Sequence, residues 1–254
     1  MCGAVGGGMP LIQYLADERA AFDYFFPGAV PGDAFHTPLL DFTPAPPSPV
    51  FLSAYFALLN GFTPQEDFKT LQFANVAKLN AVTAEEIVQG ALQGVGFSVR
   101  FGTDLLERTH GGIPYDNRNI TYIGAFNDNN YTDDALNAGI ERFASDPQAV
   151  NFVNKYYDPS GNLQIPMLSI HTTRDPLVPA FESEDIYAGR TKDAGKSDFL
   201  VQQTVNRFGH CAFGNDPNNA YMDGDPGLKL NSFDALTKWI ADSMQKPPAG
   251  ELVP

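Results

Sequence analysis

Two cysteines, one tryptophan and 16 basic residues in a chain of 254 leave gaps that exclude several classes of protein. Cys2 and Cys211 cannot build a disulfide framework; they allow one bridge or two buried thiols, and the redox compartment stays open. Sixteen Lys and Arg face 30 Asp and Glu, a formal net charge of −14. That field repels a phosphate backbone, so no nucleic-acid partner is expected. An acidic surface also suits secreted or salt-tolerant proteins. No apolar run reaches the roughly 18 residues that span a bilayer, so no membrane partner is expected either. The opening "MCGAVGGGMP" has neither a basic stretch nor a long apolar one and does not read as a signal peptide; the compartment is open, with secretion of a parent protein one option. "GAVGGG" lacks the spacing and the Lys-Ser/Thr ending of a phosphate loop.

The composition is nonetheless that of a folded domain: 43% hydrophobic, with 20 Phe and 10 Tyr. Residues 13–26 have helical apolar spacing that stops at Pro27-Gly28, and seven prolines then fill residues 27–49. Helices are predicted over 51–61, 63–80, 83–97 (opened by a Thr83/Glu86 capping box), 132–143 and 146–157. The pattern changes at "IPMLSIH" (165–171), a short apolar run of the kind found in a strand buried on both faces. A helix over 180–195, a second strand over 198–208 and a final helix over 231–245, capped by Asn231, come next. Strand, helix, strand implies a right-handed parallel βαβ unit.

Two residues stand just past the ends of those strands. Asp175 succeeds the first, in "SIHTTRDPLVP", and His210 succeeds the second, in "NRFGHCAF". Adjacent parallel strands deliver both to one sheet edge, where ligand crevices form. An aspartate accepting the imidazole Nδ1–H orients a general base and stabilises its protonated form. The bland alternative makes Asp175 a helix cap and His210 a loop residue. His171 lies near the crevice but reads as structural, and His36 and His110 are scattered. Asp216, Asp223 and Asp225 offer oxygens to calcium without EF-hand spacing.

Together, "IPMLSIHTTRDPLVP", "NRFGHCAF" and a terminal helix with Trp239 resemble the acid-to-histidine end of an α/β-hydrolase. The resemblance covers residues 163–243 and implies Asp175 as triad acid and His210 as base. His210-Cys211 also resembles the histidine–cysteine pair of tannases and feruloyl esterases. It implies, further, an α/β chain with a small, mainly parallel sheet and a large helical lid. The segments would be a core strand remnant at 1–9, a lid at 10–160 and a core portion at 161–254. What such an enzyme requires and this chain lacks is Gly-x-Ser-x-Gly: none of the ten serines fits. Ser98, with Gly96 before it, has Arg100 after it, and Cys2 lacks the flanking glycines.

The expectation is therefore a truncated hydrolase, or one part of a larger enzyme, that splits bulky apolar, aromatic or polymeric esters with a serine from elsewhere. Aromatic helices of residues 50–110 would supply the acyl- or aryl-binding cover, and no organic cofactor or metal is required. The alternatives are a remnant that binds apolar ligands or a protein, and a hydrolase using Cys2 or Ser98. A second copy of the chain, or a lid segment, is expected to cover the sheet edge beside residues 1–6.

Overall fold

Beyond the sequence, a computed structural model describes residues 6–36, 41–127, 130–210, 226–242 and 245–252. The chain divides into two units, residues 12–156 and residues 1–11 with 157–254. It is a mixed α/β protein with a small parallel sheet.

In the first unit the helices are α1 (Gly8–Phe25, entering from the other unit), α2 (Pro49–Asn60), α3 (Lys69–Val76), α4 (Ala84–Arg108), α5 (Asp133–Gly139) and α6 (Pro147–Tyr156). Each start has a local cause. Pro49 occupies the first turn of α2 behind the Ser48 hydroxyl, which accepts the Phe51 amide at 3.2 Å. Thr83 caps α4 through the Glu86 amide at 3.1 Å, and the Glu86 carboxylate reaches back to the Val82 amide at 2.7 Å. Phe22, Leu58, Phe73, Ala91, Val95 and Leu136 form the fully buried centre. Phe22 meets Phe73 edge-on with centroids 5.7 Å apart, and each such ring contributes about 1.5–3 kcal/mol by leaving water. Helix α4 runs on to Arg108, eleven residues beyond the predicted end, and glycines on its buried side admit close neighbours. Gly94 faces the Glu18 carboxyl, and Gly102 faces the backbone carbonyl of Ala34.

In the second unit β1 (Met167–Arg174) and β2 (Leu200–Phe208) pair in parallel around the crossover helix α7 (Ala180–Asp193). Helix α8 (Pro226–Ala241) comes next, and β3 (Gly250–Glu251) adds a short parallel strand on the far side of β2. The sheet order is β1-β2-β3. One face carries Leu168 and Val201 against Trp239 of α8. The other carries Ser169 and Gln202, both of which reach Glu184 of α7. Helices on both faces explain why β1 is buried continuously from Leu168 to Thr172.

Three expectations are corrected. Helix α8 opens at Pro226, so Asn231 lies inside it and caps nothing; proline suits a first turn because its missing N–H has no partner to lose. Helix α1 opens at Gly8, so the last two residues of the segment read as a strand remnant (1–9) are helical. Ser98 sits in the interior of α4, buried, its hydroxyl donating to the Val95 carbonyl at 2.7 Å, with no strand-to-helix elbow around it. Residues 1–5, with Cys2 and the edge expected beside them, lie outside the described residues, as do Cys211 and the aspartates 216, 223 and 225. Among the described residues no helix is long and apolar enough to cross a membrane.

Candidate functional site

The site is assembled at the carboxyl ends of β1 and β2. Between Thr172 and Arg174 the strand register slips: Thr172 pairs with Val205 but Arg174 with Phe208, so β2 carries one extra residue. Such a bulge bends a strand and re-aims the residues beyond it. The first of these is Gly209 at φ 111°, a conformation open to glycine and closed to most side chains. Its amide donates to the Arg174 carbonyl at 3.0 Å, and its carbonyl accepts the Thr172 hydroxyl at 2.6 Å. Both bonds tie the turn back to β1 and fix where His210 leaves it.

Asp175 is held as firmly. Its Oδ1 accepts the amides of Leu177 and Val178, both at 2.9 Å, which closes the Asp-Pro-Leu-Val loop on its own side chain. Oδ2 lies 2.8 Å from Nδ1 of His210. Asp175 is 1% exposed and His210 35%. The two residues singled out in the sequence are thus in direct contact, the acid buried and the base at the surface. Among the described residues no hydrogen bond occupies Nε2 of His210.

His171, read from the sequence as structural, is placed inside the protein beside Asp175. It is 1% exposed and touches acceptors only: Nε2 meets the Val178 carbonyl at 2.6 Å and Asp175 Oδ2 at 3.3 Å, and Nδ1 meets Glu184 Oε1 at 3.2 Å. With only oxygen acceptors against its two nitrogens, the surroundings favour a proton on each and so the imidazolium form. The same Glu184 oxygen accepts the Ser169 hydroxyl at 2.6 Å. The available signal was strand alternation. Ser169 and His171 are two residues apart inside an apolar run, and polar side chains on one strand face must find a partner.

Burial pulls the His171 pKa down, but hydrogen bonds to Asp175 and Glu184, and their charges, hold it up at about 9 against an ordinary 6.5. Burial pushes Asp175 up, but hydrogen bonds from His171 and His210, the charge of His210 and the Val178 amide hold it at about 2 against 3.8. Stability carried by the raised histidine is complete below pH 6.5 and is lost as pH rises through 9; stability carried by the depressed aspartate is complete above pH 3.8 and lost as pH falls through 2. The chain's single tryptophan, Trp239, packs on this sheet and reports on its unfolding. The unfolding free energy it reports is expected to stay flat between pH about 4 and 6.5 and to drop on both sides, by on the order of 3 kcal/mol toward pH 9. A free energy that is still level at pH 9 would contradict the buried cation.

The remaining histidines are unconnected with this cluster. His36 pairs with Asp33 at 2.9 Å on the surface, and His110 takes a left-handed conformation just past α4. No group of three metal-ligating side chains with the geometry for an ion occurs among the described residues. Comparison with protein-family models, with curated proteins and with solved structures returned no match.

Proposed function

We propose that this chain carries the acid–base machinery of a carboxylic-ester hydrolase acting on bulky apolar or aromatic esters, polyesters included. Asp175 orients and His210 is the general base. One observation carries the reading: a carboxylate buried at the sheet's carboxyl edge, anchored by two amides, contacts Nδ1 of a half-exposed imidazole at 2.8 Å. With Nδ1–H donated to the acid, Nε2 holds the lone pair on a side chain that is 35% exposed. It takes the proton from an attacking hydroxyl as oxygen bonds to the ester carbonyl carbon. The same proton then passes to the departing alkoxide as the C–O bond breaks. In the full reaction that hydroxyl belongs to a serine from elsewhere; with this chain alone it belongs to water.

Magnitudes set what the dyad achieves unaided. General-base assistance is worth about 10²–10⁴-fold, far below the ~10⁶ or more of complete enzymes. The purified chain is therefore expected to hydrolyse p-nitrophenyl butyrate at least about 100-fold faster than buffer, and His210→Ala to return the rate to that of the other surface groups. Equal rates for the two proteins would overturn the reading and favour a binding module for apolar ligands or a protein.

A further inference from the structure

One oxygen of Asp175 serves two imidazoles. Oδ2 lies 2.8 Å from His210 Nδ1 and 3.3 Å from His171 Nε2, while Oδ1 is taken up by the Leu177 and Val178 amides. Orienting a base needs one histidine, so the second requires its own account. It is not there to fill space. A buried ring with a carboxylate at each end costs desolvation that an apolar residue of the same size would avoid.

The surroundings decide its charge. From the loop after β1 the ring faces the Asp175 carboxylate and the Val178 carbonyl, and from α7 it faces Glu184. His210, from the turn after β2, is linked to it through Asp175; Tyr187 of α7 and the Ser169 hydroxyl face Glu184. Two anions and no cation abut His171 directly. A positive charge beside Oδ2 acts on His210 with the sign opposite to the carboxylate's and from nearly the same place. Little water screens it there.

Resting on the hydrolase reading, we propose that His171 is a positioning residue of the dyad: a buried cation, held by Glu184, that fixes the Asp175 carboxylate and takes up part of its charge, so that His210 meets a partly neutralised acid. Its consequence is kinetic. A carboxylate with no second partner raises the proton affinity of the imidazole it touches by one to three pH units, roughly, and a base that already holds a proton is idle. Glu184 and His171 thereby set the pH range in which His210 works.

Histidine-ring NMR on the whole chain reads both rings without reference to turnover. At pH 7.5 His171 is expected to carry protons on both nitrogens. His171→Gln keeps an N–H near Oδ2 but no charge. In that variant the His210 ring is expected to take up its proton about one pH unit higher than in the unsubstituted protein, with the acid limb of the ester pH–rate profile moving by the same amount. If His171→Gln does not fold, Glu184→Gln serves instead, and His171 should then release a proton about one unit earlier. A bare nitrogen on His171 at pH 7.5, a His210 titration unmoved by His171→Gln, or a His171 titration unmoved by Glu184→Gln overturns the proposal. Ring shifts as expected, but turnover indifferent to His210→Ala, sink the hydrolase reading and still support the hold of His171 on Asp175.

Discussion

Asp175→Ala is expected to remove ester turnover to the level of His210→Ala and, unlike His210→Ala, to cost the sheet unit about 3–5 kcal/mol. Both effects have one origin. The side chain is the sole counter-ion for His210 and one of two for His171 among the described residues, and it satisfies the amides of Leu177 and Val178. Truncation orphans the two amides and leaves the His171 cation with Glu184 alone. Both amides are half-buried, so water recovers part of the about 1–3 kcal/mol that a fully buried orphaned donor costs, and the loss of the charge partner makes up the larger share. The Trp239 signal should accordingly shift its thermal midpoint by on the order of 10 °C.

Asp175→Asn separates the two roles. The amide oxygen still accepts from Leu177 and Val178, so the loop closes. The amide nitrogen, however, now donates toward His210 Nδ1 and pins the proton on Nε2, the atom that must accept it from the nucleophile. His171 loses its charge partner here too, so the expected pattern is a stability loss smaller than alanine's only because the loop amides stay satisfied, with turnover reduced at least about 100-fold. If alanine leaves both the midpoint and the ester rate where they were, the contact at 2.8 Å has neither a structural nor a chemical role.

Much of this site could be read from the chain in advance, and the unread part has physical reasons. Asp175 and His210 were legible because each is a polar residue at the end of an apolar strand, and parallel pairing brings such ends together. Thr83 and Glu86 were legible because a cap is a local interaction. His171 and Glu184 were not, because their pairing depends on how α7 lies over β1, which no local pattern records. Asn231 misled by being a good cap residue in a helix that another residue, Pro226, was already able to start. Two residues of β3 carry no period-2 signal, so only the pairing with Gln203 and Thr204 marks Gly250–Glu251 as a strand. The glycines of α4 lower its intrinsic helix propensity, and packing outweighs that loss.

That last conflict makes the sign of one substitution predictable from space alone. By intrinsic preference, replacing an interior helix glycine with alanine stabilises by about 1 kcal/mol. Gly189, in α7, is exposed, and an added Cβ would meet nothing within 4 Å. Gly189→Ala is therefore expected to raise stability by about 0.5–1 kcal/mol. At Gly102, in α4, an added Cβ would overlap the carbonyl oxygen of Ala34 and stand 3.3 Å from the Cα of Phe35. These are backbone atoms and cannot rotate away. Nor can the segment retreat, since Phe35 is buried against the rings of Tyr115 and Phe143 at 5.7 and 5.6 Å. Relieving the overlap means moving α4 or breaking that aromatic cluster, and overpacking of this kind costs about 1–3 kcal/mol, at times more. With the contact so short, Gly102→Ala is expected to lower stability by about 2 kcal/mol or more despite its better helix propensity. Urea unfolding monitored by helical circular dichroism measures both variants on one scale. Shifts of the same sign would mean that α4 does not approach Ala34 as closely as its buried glycine implies.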